Sequence, residues 1–209
     1  MQLSTILTCA LALGASAQST TTYTDSRSGI TVSGYQSASY IFGIALPSTP
    51  GKDFIGMLVG KGNGWAGVSL AGPMTGGSLL LVAWPNGQNI LSSFRKATSY
   101  ASPAVATGSF SAVPIASGTY VNSTHFVYTF LCKNCITGDS STFSPTAETA
   151  MLGWALSTTA PKTPASATTA FGKHQTQGNY GVSIASTKTD KYDTWAALAS
   201  STTPMAFSA

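Results

Sequence analysis

Short runs of β-branched and aromatic residues recur along the chain, and clusters of Gly, Pro, Asn or Ser separate them at fairly regular spacing. Such runs are typical of strands, because these residues pack well on a pleated, half-buried surface. The strands that this pattern predicts lie at residues 30–32, 40–46, 54–59, 65–70, 79–84, 90–94, 119–121, 126–132, 151–156 and 180–184. We therefore expect an all-β fold, a sandwich or a barrel.

Helical patterning is nearly absent from the sequence. No window before residue 190 carries a long apolar stripe of period 3.6 with capping residues, so we expect few helices. Residues 188–200 could form a terminal helix or a frayed tail. Residues 18–28 are polar, and we expect them to fray.

Two connecting segments carry signals of their own. Pro85-Asn86-Gly87 lies between two predicted strands, and an Asn-Gly pair suits the positive φ angles of a tight turn, which predicts a hairpin. Residues 157–170 are rich in Ser, Thr, Ala and Pro, yet strand-like sequence resumes at Tyr180. This favours a long surface loop inside one domain over a domain boundary.

The N-terminus has the pattern of a secretion signal. Residues 3–13 form a short apolar stretch, and Ala15-Ser16-Ala17 is a small-x-small cleavage pattern, although no Lys or Arg precedes it. We expect a signal peptide at 1–17, one domain at 18–187 and a tail at 188–209, in a secreted protein. A buried N-terminal helix is the alternative for the first segment. No later stretch approaches the roughly 20 apolar residues of a membrane span.

Cysteine usage agrees with secretion. Cys9 would leave with the signal, so Cys132 and Cys135 remain as an even pair in an oxidising compartment. The pair follows a strand-like run and not a helix start, which favours a small structural disulfide over a redox-active C-x-x-C site. Asn122-Ser123-Thr124 is a glycosylation acceptor sequence, which makes Asn122 a candidate glycosylation site.

Composition excludes several classes of function. The 209-residue chain has 43% hydrophobic and 8% charged residues, which suits one sizeable core. It has no run of Lys or Arg that would favour binding of nucleic acid. A glycosidase needs two carboxylates close together, but residues 54–138 contain no Asp or Glu. The chain has no Gly-x-Ser-x-Gly elbow, and its two histidines leave little choice for a catalytic triad.

A dinucleotide-binding motif is matched only in form. Residues 62–67 read GNGWAG, which fits G-x-G-x-x-G. That site needs a helix directly after the glycines and an acidic residue about 20 positions later, and neither is present. We interpret the match as a loose turn before a strand.

Few metal sites can be built from this chain. A zinc site needs more His and Cys ligands than remain in this chain. A copper site at the mature N-terminus would need His in place of Gln18. Covalent haem attachment needs His directly after Cys135, where this chain has Ile136. A histidine with a thioether remains, and that pair suits a six-coordinate iron that shuttles one electron. From the residues alone, Met74 could equally be a core residue and His174 a residue without a metal.

The sequence resembles the cytochrome domain of fungal cellobiose dehydrogenases, an extracellular b-type haem domain. The matching stretches occur in the same order and cover about residues 20–185: they are residues 65–74, 79–87, 122–125, 132–135, 153–156 and 171–174, which read WAGVSLAGPM, LLLVAWPNG, NSTH, CKNC, GWAL and FGKH.

The resemblance implies an immunoglobulin-like antiparallel β-sandwich with a non-covalent haem b in a pocket at one face. It implies Met74 and His174 as the axial ligands of the haem iron, Tyr100 as a contact of a haem propionate and a Cys132–Cys135 disulfide. It also makes His125 a structural residue, with His125 and His174 together as the alternative ligand pair.

The family pattern implies a one-electron carrier whose donor is a dehydrogenase and whose acceptor is a copper-dependent polysaccharide oxygenase. No dehydrogenase module follows in this sequence, so we expect a separate donor molecule and a monomer. Ferric reductase activity would need the same haem. Pro73 and the basic net charge of +4 depart from the family pattern. If Lys61, Arg95 and Lys96 border the haem edge, they would favour an acidic partner.

A different class of function is also open. Sandwiches rich in Tyr, Trp and Ser often bind polysaccharides through exposed aromatic side chains. An extracellular carbohydrate-binding module without redox activity is therefore the alternative.

Overall fold

The computed structural model describes residues 20–199. Its strands, in chain order, are β1 (Thr21–Thr24), β2 (Thr31–Gln36), β3 (Tyr40–Ala45), β4 (Phe54–Lys61), β5 (Trp65–Ser69), β6 (Leu80–Asn86), β7 (Asn89–Lys96), β8 (Ala104–Val105), β9 (Ser111–Pro114), β10 (Tyr120–Val121), β11 (His125–Lys133), β12 (Thr149–Ser157) and β13 (Thr176–Ser183). A 3-10 helix covers Ala116–Gly118, and two short helices follow the last strand, α1 (Ile184–Thr187) and α2 (Tyr192–Ala196).

These strands form two antiparallel sheets that pack as a sandwich. The first sheet has the order β1-β2-β3-β4-β11-β10, with β9 also paired to β11. The second has the order β13-β12-β5-β6-β7-β8. The predicted all-β, immunoglobulin-like sandwich is confirmed, and each of the ten predicted strands falls on an observed one.

The expectation that residues 18–28 fray is wrong for Thr21–Thr24. This segment pairs with Thr31–Gly34 as β1, at one edge of the first sheet. Its side chains are mostly exposed, so it carries no apolar alternation from which a strand could be predicted. The short strands β8 and β9 were also missed, because they too have little buried surface.

The core lies between the two sheets. On β5, Ala66 and Val68 point into it, and they meet residues of the facing sheet such as Phe42 and Phe126. The outer face of the first sheet is covered separately, since Ile55, Met57 and Val127 belong to a second buried cluster that includes Tyr192 and Trp195. After residue 188 the chain thus folds back onto the outer face of the first sheet, where α2 contributes Tyr192 and Trp195. The described residues end at 199.

The hairpin and the disulfide predicted from the sequence are both present. Asn86 pairs with Asn89, and Gly87 has a φ of 63°, so the tight turn consists of Gly87 and Gln88. Cys132 and Cys135 form a disulfide at the end of β11. Both cysteines are fully buried.

Residues 157–170 connect two paired strands. β12 and β13 are neighbours in the second sheet, so the segment between them is a loop within one sheet. In the part of the chain that the structure describes, no helix has the length and apolar character needed to cross a membrane. The predicted signal segment, residues 1–17 with Cys9, lies outside the described residues.

Candidate functional site

A cavity of about 710 Å³ opens on the outer face of the second sheet. Strand alternation explains its floor, because successive side chains point to opposite faces. While the side chains of Ala66 and Val68 belong to the core, the alternate β5 residues Trp65, Gly67 and Ser69 line the cavity, to which Val68 also contributes surface. The outward positions of this strand thus include small residues that leave space above the sheet.

Neighbouring strands complete this floor. Leu80 and Val82 of β6 and Ala155 of β12 line it with apolar surface, and Asn179 of β13 lies at its edge. At Gly67, the position of an added Cβ has its nearest neighbours at 3.5 Å, an ordinary contact distance. The lining is therefore mostly apolar, as is usual for a small-molecule or cofactor site.

Met74 lies in a loop that forms one wall. Gly72, with a φ of 84°, turns the chain after β5, and the Ser78 hydroxyl lies within hydrogen-bond distance of the Ala71 and Pro73 carbonyl oxygens, at 3.2 and 3.1 Å. Gly153 of β12 fits beneath this loop, since a Cβ there would collide with the carbonyl oxygen of Gly72. The missing side chain at 153 thus allows the loop with Met74 to sit close to the floor.

His174 also lines the cavity, on the segment that leads into β13. Its ring is half-buried and meets the Trp65 ring edge-on, with centroids 6.3 Å apart. Phe171, on the same segment, packs against both Trp65 and Trp84 at centroid distances of 5.4 and 5.2 Å. Aromatic packing therefore holds this segment against the sheet.

The surroundings of His174 favour the neutral form of its imidazole. Burial lowers the pKa of His174, and the positive charge of Lys173 lowers it further. Neutral imidazole is the form that ligates a metal through a ring nitrogen.

Tyr100 stands at the rim of the same cavity. Its side chain is 90% exposed, and it lies in the segment between β7 and β8 together with Ser102 and Pro103, which also line the cavity. The Phe171 N–H donates to the Ser102 hydroxyl at 3.0 Å and so joins this segment to the one that carries His174. The structure therefore brings Met74, His174 and Tyr100 to one cavity.

The other histidine lies elsewhere. His125 begins β11 in the first sheet, where its ring nitrogens are within hydrogen-bond distance of the Asn122 amide and the Thr124 hydroxyl. This is the local structural role that the resemblance implies, and His125 is absent from the cavity lining. Asn122 is exposed beside it, in the turn before β11.

The three cations that the sequence suggested for the cavity rim do not line the cavity. Lys61 lies on β4 in the first sheet, Arg95 is buried within the protein and Lys96 is exposed on β7, and none of the three lines the cavity. Lys173 does line it. The condition that Lys61, Arg95 and Lys96 border this edge is therefore not met by the cavity lining. A stretch of sequence without acidic residues does not determine which face its cations occupy.

Two unpartnered polar atoms test which ligand the cavity fits. The Trp65 indole nitrogen and the Ser69 hydroxyl are buried without a hydrogen-bond partner in the described structure, and both residues line the cavity. Buried polar groups are nearly always paired, so these two atoms have hydrogen-bonding capacity that the described residues do not use. Residues 20–199 contain no group of three His, Cys, Asp or Glu side chains that could hold a bare metal ion.

The donor set therefore fits a haem, which brings its own equatorial nitrogens and needs only axial ligands from the chain. One thioether, one imidazole and an apolar floor are present in the same cavity. Sequence reasoning missed Ser69, Gly153 and Phe171 as site residues. Ser69 and Gly153 could have been predicted, because each is a small residue at an outward-facing position of an otherwise apolar strand.

Comparison with known proteins places the chain in a family. The sequence model of the family described as the cytochrome domain of cellobiose dehydrogenase matches residues 23–194. The chain is 35% identical over 193 residues to a pyrroloquinoline quinone-dependent pyranose dehydrogenase of Coprinopsis cinerea. That alignment covers 88% of this chain but 26% of the relative, so the chain spans about a quarter of the curated relative's length.

Solved structures agree with the sequence comparison. The cytochrome domain of Myriococcum thermophilum cellobiose dehydrogenase superposes with a TM-score of 0.78 at 34% identity, over 91% of this chain and 99% of that one. The cytochrome b domain of pyranose dehydrogenase from Coprinopsis cinerea gives the same TM-score at 30% identity, over 90% and 100% of the two chains. This chain therefore belongs to the family of cytochrome domains found in cellobiose dehydrogenase.

Proposed function

We propose that the protein binds one haem b non-covalently, with the Met74 thioether and the His174 imidazole as axial ligands of its iron, and carries single electrons outside the cell. The observation that carries this proposal is the presence of these two side chains, far apart in sequence, in the lining of one largely apolar cavity. The family match and the two unpartnered polar groups of the lining support it.

A haem iron held by a thioether and an imidazole supplies one-electron transfer, and the neutral sulfur favours the ferrous state. The chain's own task is to fill both axial positions, to exclude water and to hold the imidazole in one orientation. Trp65 and Phe171 fix the segment with His174, and Gly153 lets the loop with Met74 approach the floor. With Met74 and His174 both on the iron, a bound haem would favour outer-sphere electron transfer over reaction with oxygen.

The rim supports a particular kind of partner. Tyr100 and Lys173 are exposed there, and the chain carries a formal net charge of +4. The positive charge of Lys173 at the rim would steer an acidic partner towards the cavity and speed its association. The donor in this proposal is a sugar-oxidising dehydrogenase, a class supported by the cellobiose and pyranose dehydrogenases among the relatives. The acceptor is a copper-dependent polysaccharide oxygenase or ferric iron.

Secretion is part of the same proposal. The small-x-small pattern at Ala15-Ser16-Ala17 and the disulfide between Cys132 and Cys135 support an oxidising, extracellular location. Asn122 is exposed and available for glycosylation.

The visible spectrum of the purified protein tests the haem and its ligands. Protein expressed with sufficient haem should show a sharp α-band after reduction by dithionite. His174→Ala should remove this spectrum, whereas His125→Ala should retain it and serves as the matched control. Met74→Leu should alter it, whereas Met151→Leu should not, since Met151 is 54% exposed on β12.

Two outcomes would contradict the proposal. A protein that stays colourless when haem is supplied is not a cytochrome, and an unchanged reduced spectrum in His174→Ala rules out that ligand. Retention of a colourless protein on cellulose would favour the carbohydrate-binding alternative. Against that alternative, Tyr100 is the one aromatic residue among the exposed large hydrophobic side chains of residues 20–199.

The partner is tested by rapid mixing with a reduced sugar dehydrogenase and with a copper oxygenase. Electron transfer should slow as ionic strength rises, because salt screens the attraction between a basic rim and an acidic partner. A rate that is independent of salt would contradict the electrostatic part of the proposal.

A further inference from the structure

Arg95 is buried beneath two segments that form the wall of the cavity. Its side chain is 2% exposed, its Nε donates to the Ser93 hydroxyl at 2.9 Å and its Nη1 donates to the Pro103 carbonyl at 3.1 Å. Its Nη2 donates to the carbonyls of Ala167 and Thr169 at 2.7 and 3.0 Å. Four of the five guanidinium N–H groups are thus used, and they join three separate segments of the chain.

The charge of Arg95 has only neutral hydrogen-bond acceptors within residues 20–199. They are one hydroxyl and three backbone carbonyls. Burial lowers the pKa of Arg95, but a guanidinium remains charged at neutral pH. A buried cation without a carboxylate is costly to the fold, so its presence beside the cavity points to a role there.

Phe171 lies between this cation and the cavity. The Arg95 Cζ is 4.8 Å from the centroid of the Phe171 ring, and the same ring packs against Trp65. Phe171 lines the cavity, and the segment continues to His174. The guanidinium therefore touches the residue that holds the histidine segment in place.

We propose that Arg95 is a positioning residue of the cofactor site: it ties the segment of Tyr100 and the segment of His174 to β7, and its charge raises the reduction potential of the bound haem. This inference rests on the proposed function. Oxidised haem carries one more positive charge than reduced haem, so a nearby buried cation destabilises the oxidised form. The acceptors of Arg95 among residues 20–199 are neutral, so they do not cancel this effect.

Limited trypsin digestion tests the positioning role without haem. Lys162 and Lys173 bracket the loop that Arg95 holds through Ala167 and Thr169. In the haem-free protein, Arg95→Gln should accelerate cleavage after these two lysines about tenfold, since cleavage follows local opening of the loop. Lys96→Gln is the matched control, because it removes the same charge from the neighbouring, exposed residue.

Spectroelectrochemistry tests the charge. In haem-loaded protein, Arg95→Gln should decrease the equilibrium constant for reduction about tenfold, which is about 59 mV for a one-electron couple. Lys96→Gln should leave the potential unchanged, because solvent screens an exposed charge. The wild-type spectrum is recorded first, so that a failure to bind haem is recognised as failure of the proposed function.

The results separate the two parts of the inference. Equal cleavage rates in wild type and Arg95→Gln overturn the positioning role, and equal potentials with intact ligation overturn the charge effect. Where Arg95→Gln does not fold, Arg95→Lys replaces it in the digestion. One ammonium group cannot reach the carbonyls of Pro103, Ala167 and Thr169 together, so this variant should also be cleaved faster, and wild-type cleavage in it overturns the proposal.

Discussion

The Trp65 ring meets the His174 ring edge-on, with the planes at 78° and the centroids 6.3 Å apart. The Trp65 indole N–H is buried beside this contact and has no partner in the described structure. The residue thus supports the histidine through its ring and keeps one hydrogen-bond donor that no described residue uses.

Trp65→Phe should weaken haem binding while leaving the fold intact. It keeps an aromatic ring beside His174 but removes the indole donor, and one lost hydrogen bond of about 1 kcal/mol corresponds to roughly fivefold in affinity. Titration of the haem-free protein with haem measures the change. Trp84→Phe is the control, because the Trp84 indole donates to the Pro164 carbonyl at 2.7 Å and its loss should instead lower the free energy of unfolding by about 1 kcal/mol. Unchanged haem affinity in Trp65→Phe would contradict a role for the indole.

Gly153→Ala should displace the loop that carries Met74. The added methyl group would collide with the Gly72 carbonyl oxygen, and overpacking of this kind costs roughly 1–3 kcal/mol. We expect haem to remain bound through His174 with an altered axial ligand, visible in the reduced spectrum. Gly51→Ala, where an added Cβ meets nothing within 4 Å, should change neither spectrum nor stability. A wild-type spectrum in Gly153→Ala would show that the loop position does not depend on this contact.

Asp139 should make the fold sensitive to acid. Hydrogen bonds from the Ser141 hydroxyl, the Thr137 hydroxyl and the Ser141 N–H lower the pKa of Asp139 to about 2. The unfolded chain, with an ordinary Asp pKa of about 3.9, binds more protons between these values. The stabilisation is therefore fully present above about pH 4 and is lost as the pH falls towards 2. Urea unfolding of Asp139→Asn across this range should show a shallower pH dependence, and an unchanged slope would contradict the assignment.

Removing the disulfide should destabilise the protein modestly. It closes a loop of very few residues, for which the chain-entropy relation gives about 2 kcal/mol. Replacement of both Cys132 and Cys135 by Ala should lower the free energy of unfolding by about that amount. The reduced spectrum should stay unchanged, since neither cysteine lines the cavity. A lost haem spectrum in a folded variant would contradict this separation.

Local sequence determined much of this fold. Alternation and turn residues predicted ten strands and the hairpin at Gly87, because side-chain burial on a strand repeats every two residues. The polar strand β1 was not predicted, because backbone pairing at the sheet edge stabilises it while its side chains are mostly exposed. Met74 and His174 were selected through the family resemblance, since spacing along the chain carries no information about a contact made between two loops.

Residue types and near neighbours along the chain were enough to predict an all-β protein with a hairpin, a disulfide between Cys132 and Cys135 and a short inventory of metal ligands. Three-dimensional packing alone sets which face of the second sheet is hollow and which side chains line that hollow. It also decided that Arg95 is an internal cation and not part of the rim. The physical reason is that a cavity is formed by strands and loops that are distant in sequence, and their relative positions follow from the packing of the whole sandwich.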